Sequence, residues 1–126
     1  MAQSPYRERI LDHYRNPRHR GRLEGPDLVG EADNPVCGDR VRLELRLDEA
    51  EQVVEAAFGG DGCVISMAAA SMLAEQVHGL NLEELRGLTE KDMLAMLGVE
   101  LGRARTQCAL MPLRALQAAL KALPTR

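Results

Sequence analysis

The clearest pattern in the chain is Arg40-Val-Arg-Leu-Glu-Leu-Arg-Leu47. Val41, Leu43, Leu45 and Leu47 alternate there with charged residues. A period of two predicts a strand with one buried face and one wet face. Asp48 to Glu51 read as a turn, and Val54, Ala56 and Phe58 resume the alternation, which predicts an antiparallel hairpin. Leu28 to Ala32 reads as a further short strand, and Gly59-Gly-Asp-Gly62 breaks the hairpin's second strand.

The period then changes. Val64 to Val77 is rich in Ala, Met and Leu and almost free of charge, so it predicts a helix buried on most sides and ended by His78-Gly79. Near the start, Ser4-Pro5 suits a helix N-terminus, with Tyr6, Ile10, Leu11 and Tyr14 on one face and Asn16-Pro17 as the stop. Leu82 to Leu88 and Met93 to Leu97 are shorter helical pieces, the second capped by Thr89. A last helix is expected from about Cys108 to Leu123, striped by Leu113, Leu116, Leu120 and Leu123. Pro112 should then lie near its first turn, because an interior proline costs roughly 3 kcal/mol. The order predicts one α+β domain over residues 1–126, a small antiparallel sheet of about three strands with helices packed on one face.

Composition narrows the function. Aromatic residues are 2% of the chain and the net charge is -3, so neither a stacking platform nor a global basic field exists for nucleic acid. Charge is uneven, however: Arg7, Arg9, Arg15, Arg18, Arg20 and Arg22 face only Glu8 and Asp12 in the first 22 residues. This is either a solvated surface or a basic docking surface for an acidic partner. No apolar leader follows Met1 and no run reaches the length of a membrane span, so a cytoplasmic protein without a membrane partner is expected. Its three cysteines should then be thiols or metal ligands.

Cys37 sits in the loop Asn34-Pro-Val-Cys-Gly-Asp39, Cys63 follows Gly62 at the start of the buried helix, and Cys108 is expected to open the last one. Thiols at helix N-termini have a lowered pKa, and thiolate is the form that binds metal or attacks sulfur. With 25 residues between the first pair and 44 between the second, the spacing matches no zinc finger, and three unrelated cysteines would give it as well. Adding Asp39 completes four donors, suited to Zn²⁺ or to iron in an iron–sulfur cluster. His13, His19 and His78 are weaker candidates, each read as a non-ligand.

Taken together, Asn34-Pro35-x-Cys37-Gly38-Asp39, Phe58-x-Gly60-x-Gly62-Cys63-x-Ile65-Ser66 and Cys108 resemble the IscU/SufU/NifU N-terminal family of iron–sulfur cluster assembly proteins. Tyr6, Ile10, Asp12-His13, Pro17-Arg18 and Gly21 extend the likeness over almost the whole chain. The resemblance implies a scaffold that accepts persulfide sulfur from a cysteine desulfurase, assembles a transient [2Fe–2S] cluster and passes it to recipient apo-proteins. Cys37, Asp39, Cys63 and Cys108 would be the ligands, Cys37 the sulfur acceptor, Cys108 an alternative acceptor and Arg105 a supporting charge. Two further readings are a zinc-dependent sulfurtransferase of SufU type and a structural zinc domain. Gln107 stands where IscU-type members carry a histidine, and no Leu-Pro-Pro-Val-Lys lies near 98–106, which speaks against release by an Hsp70-type chaperone. Arg105 matches the SufU type, whereas the 44 residues between the second and third cysteines leave little room for the segment that SufU inserts there. Pro112 departs from both types.

Overall fold

The computed structural model describes residues 5–35 and 38–123. Its elements run α1 (Pro5–Arg15), β1 (Leu28–Asn34), β2 (Asp39–Leu47), β3 (Val53–Asp61), α2 (Val64–Gln76), α3 (Leu82–Arg86), α4 (Glu90–Leu97) and α5 (Arg103–Lys121). The strands form an antiparallel sheet in the order β1-β2-β3, with helices packed against it, so the α+β expectation holds. Leu43 sits at the sheet's centre, opposite Gly30 on one side and Phe58 on the other. Val41, Leu43 and Leu45 are fully buried, as alternation requires.

Helix α2 is buried at every position from Ile65 to Ala74. Its run of alanines lets α1, α5 and β3 approach it closely. Helix α5 lies across β1 and β2, and Gly30 permits this. A Cβ on Gly30 would stand 2.6 Å from the Ala119 nitrogen and 2.9 Å from its Cβ. Backbone atoms cannot rotate away, so only glycine lets the helix sit this low on the sheet.

Several expectations are corrected. Helix α5 starts at Arg103, about five residues early, behind Gly102 as N-cap, and Thr106 Oγ1 donates to the Gly102 carbonyl at 2.9 Å. Pro112 therefore lies in the interior, where it denies an N–H to the Cys108 carbonyl one turn back. Tertiary burial offsets that cost: Ala109, Met111, Leu113, Ala115 and Leu116 are all buried on this helix. In α1 the inward residues are Ile10 and His13, while Tyr6 and Tyr14 remain 48% and 44% exposed. Strand β3 runs on through Gly59 and Gly60 to Asp61, and a register shift at Arg46/Leu47 turns Val53 inward and Val54 outward. Strand β1 extends to Asn34.

The sheet's second face is not wholly wet. After α1 the chain lays residues 19–21 along the edge of β3, with Phe58 N–H donating to the His19 carbonyl at 3.0 Å and Gly21 N–H to the Phe58 carbonyl at 2.9 Å. It then crosses over β2, where Leu23 N–H donates to Glu44 Oε1 at 3.0 Å. Arg42 pairs with the other Glu44 oxygen at 2.8 Å. Glu44 is thus a buried carboxylate: Oε1 accepts a hydrogen bond from the strap's backbone, while Oε2 is compensated by the charge of one guanidinium and has no hydrogen-bond partner among the described residues.

Candidate metal centre

Three of the four residues singled out by the sequence converge. One ligand atom from each of Asp39, Cys63 and Cys108 lies within 4.8 Å of the other two. Asp39 is the first residue of β2, Cys63 the N-cap of α2, and Cys108 stands in the second turn of α5. Strand and helices therefore meet at one end of the sheet, where β2 begins. Cys37, together with Val36, lies outside the described residues.

Local geometry fixes each donor. Cys63 is extended, at φ -72° and ψ 173°, and its sulfur accepts the Ser66 N–H at 3.5 Å. Its own N–H points to Asp39 Oδ2 at 3.4 Å. The buried Ser66 hydroxyl lies 3.2 Å from Asp39 Oδ2 and 3.1 Å from the Cys63 carbonyl. Its single proton is shared between them. Gly62 makes this possible: a Cβ there would overlap Ser66 Oγ and come within 3.3 Å of Asp39 Cγ. A hydroxyl that holds a ligating carboxylate in place is the usual outer support of a metal ligand. Ser66 and Gly62 stand in the motif Phe58-x-Gly60-x-Gly62-Cys63-x-Ile65-Ser66, but the contact of Ser66 with Asp39 spans 27 residues and no local pattern predicts it.

The expected helix-dipole effect on Cys108 is overturned, since the residue is not at a helix start. Its thiol is pushed well above the usual range, first by burial and then by the Cys63 thiol and Asp39 carboxyl beside it. The crowded, electron-rich pocket is therefore a poor place for isolated thiolates. A cation at the centre would reverse that, because a coordinating thiol is deprotonated outright. Two soft sulfurs and one carboxylate, converging and partly desolvated, fit Zn²⁺ or iron.

The remaining candidates lie apart. Arg105 is exposed on the first turn of α5 and makes no hydrogen bond or ion pair among the described residues. Gln107 Oε1 accepts from Arg114 Nη2 at 2.5 Å. His13 is buried between α1 and α2, with Nδ1 2.8 Å from Ser71 Oγ. His78 is exposed, and no histidine joins the donor cluster among the described residues.

The comparisons point the same way. The family model described as NifU-like N terminal domain matches residues 5–126. The chain is 37% identical over 129 residues to the zinc-dependent sulfurtransferase SufU of Bacillus subtilis, covering 89% of this chain and 86% of that protein. It is 36% identical over 117 residues to the iron–sulfur cluster assembly scaffold protein IscU of Aquifex aeolicus, covering 92% of this chain and 74% of that one. Among solved structures, FiSufU from Fervidobacterium islandicum AW-1 superposes with a TM-score of 0.75 at 27% identity, covering 94% and 96% of the two chains. No helix among the described residues is long and apolar enough to cross a membrane.

Proposed function

The chain belongs to the NifU-like N-terminal domain family of iron–sulfur cluster assembly proteins, and on that premise we propose that it is a sulfur-accepting scaffold. The convergence of the Asp39 carboxylate with the Cys63 and Cys108 sulfurs carries this reading. Residues 1–126 act as one domain, with Cys37, Asp39, Cys63 and Cys108 as the donor set. Cys37 is two residues from Asp39 in the chain, so its Cα lies at most about 7 Å from that of Asp39.

In the sulfur-transfer step a thiolate of this chain, from Cys37 or alternatively Cys108, attacks the outer sulfur of a desulfurase persulfide. A new S–S bond forms, the donor's S–S bond breaks, and the desulfurase cysteine leaves as thiolate. Ferrous iron and an external electron donor then convert the sulfane sulfur to sulfide as the [2Fe–2S] cargo is built. Asp39 is the hard oxygen donor in a soft site and keeps the cargo labile for delivery to a recipient apo-protein. Arg105, on the turn before Cys108, supplies positive charge at the rim. The working compartment is the cytoplasm.

A second reading, the zinc-dependent sulfurtransferase, is favoured by Gln107. Its carbonyl is engaged by Arg114, and Gln is a poor metal ligand where a histidine would be a good one. Zinc bound by the same four residues would hold the thiolates unreactive until the desulfurase displaces one.

The test mixes the purified protein with a cysteine desulfurase and cysteine, with Fe²⁺ and a reductant or with Zn²⁺. Under the scaffold reading a visible-absorbing cluster forms and transfers to an apo-ferredoxin. Zinc-dependent acceleration of cysteine turnover, with persulfide on this chain and no transferable cluster, replaces it by the second reading. Neither outcome leaves zinc as a structural staple.

A further inference from the structure

A second feature lies on the sheet face away from the helices. Where the strap over Glu44 meets the β2–β3 pair, it borders a concavity of about 350 Å³. Arg20 and Arg22 reach it from the strap, Arg40 and Arg42 from β2. Glu31 and Asp61 are the two carboxylates on its rim. Its floor is Gly59, which has no neighbour within 4 Å of where a Cβ would be, so the surface between the strands is open.

The four guanidiniums are unequally committed. Arg20 donates to the Gly60 carbonyl at 3.0 Å and stacks on Phe58, which fixes it. Arg42 is tied to Glu44 at 2.8 Å, yet its Nε is buried without a hydrogen-bond partner among the described residues. Arg40 has an exposed pairing with Asp33 at 3.1 Å, the kind worth least. Arg22 makes no ion pair or hydrogen bond among the described residues. The cleft thus keeps unspent guanidinium donors in a protein whose net charge is -3.

From this arrangement we propose that the cleft is a docking groove for an extended acidic segment of a protein partner. The pattern of charge selects the occupant. Glu31 faces Arg42 and Asp61 faces Arg40 across the strand pairs, and these fixed carboxylates repel a compact polyanion but leave room for spaced side-chain carboxylates among the guanidiniums. In an extended peptide, alternate residues on one face are about 6.6 Å apart, enough to separate successive carboxylates between neighbouring arginines. The groove is also continuous with the candidate metal centre. Arg40 directly follows Asp39, and Arg40 and Asp61 also line the opening beside Asn34, Pro35 and Gly38. A partner held there lies beside the strand ends that carry Asp39 and Asp61. The inference rests on the reading of the chain as a protein that receives and hands on cargo, and it adds where and by what chemistry a partner is gripped.

The experiment uses the full chain, metal-free and zinc-loaded, and a fluorescein-labelled octapeptide of alternating Glu and Ser, followed by anisotropy at low and moderate salt. Arg22→Glu/Arg40→Glu removes two of the three exposed arginines and spares the Arg42–Glu44 pair. Binding should weaken at least about tenfold, as the loss of two charge-assisted contacts requires. Arg86→Glu/Lys91→Glu makes the same change in net charge on α3 and α4 and should bind as wild type does. Equal loss in both variants, no loss in the first, or displacement by inorganic phosphate as effective as unlabelled peptide would each overturn the proposal. Peptide binding needs neither desulfurase nor cluster, so its failure is separable from failure of sulfur transfer.

Discussion

Gly62→Ala isolates the link between the fold and the candidate centre. The added methyl overlaps Ser66 Oγ and stands 3.2 Å from Met67 Cε and 3.3 Å from Asp39 Cγ. Met67 Cε is the end of a flexible side chain and can yield, whereas Ser66 Oγ must rotate out of the site. That rotation removes its 3.2 Å contact to Asp39 Oδ2 and its 3.1 Å contact to the Cys63 carbonyl. A hydrogen bond to a charged group is worth about 1.5–3 kcal/mol, which matches the 10- to 100-fold loss typical when the support of a metal ligand is removed. Backbone strain contributes nothing, since Gly62 is outside the left-handed region. Zinc affinity, read by competition with a chromophoric chelator, should therefore fall about 10- to 100-fold in Gly62→Ala. The same substitution made in a Ser66→Ala background should change affinity little, because the clashing atom is gone. Equal loss in both backgrounds, or none in the wild-type background, would refute the reasoning.

Three further outcomes are expected. Asp39→Ala should slow loss of a reconstituted cluster to a chelator, since the labile oxygen donor is removed; unchanged or faster loss takes Asp39 out of that role. His13 has its proton affinity lowered, first by burial and then by Arg18, so the unfolded chain takes up the proton first. Urea stability should be flat above the ordinary histidine value of 6.5 and fall as pH drops below it, and His13→Asn should reduce that slope. Pro112→Ala restores an N–H for the Cys108 carbonyl, a gain of up to about 3 kcal/mol less roughly 1 kcal/mol for the small void. A net rise in thermal midpoint is expected, and a fall would show that the proline's packing outweighs the missing bond.

The sequence by itself determined that the three strands exist, the all-round burial of α2 and the Thr89 cap, because each follows from a period or a side chain within a few residues, whereas the ends of β1 and β3 and the facing of Val53 and Val54 did not. It also put Cys63 at an element start and Asp39 in the loop just before one, where Pro35, Gly38 and Gly62 punctuate the chain. Tertiary structure decided what local pattern cannot carry. The start of α5 was misplaced because Pro112 marks a boundary by local rules, while the buried face from Cys108 to Leu116 lets the helix run through it. Glu44 looked like a solvated charge until a strap 21 residues away in sequence covered it. The centre itself is of the second kind. Asp39, Cys63 and Cys108 come from three elements, and only the seating of α2 and α5 on the sheet brings a carboxylate and two sulfurs within 4.8 Å.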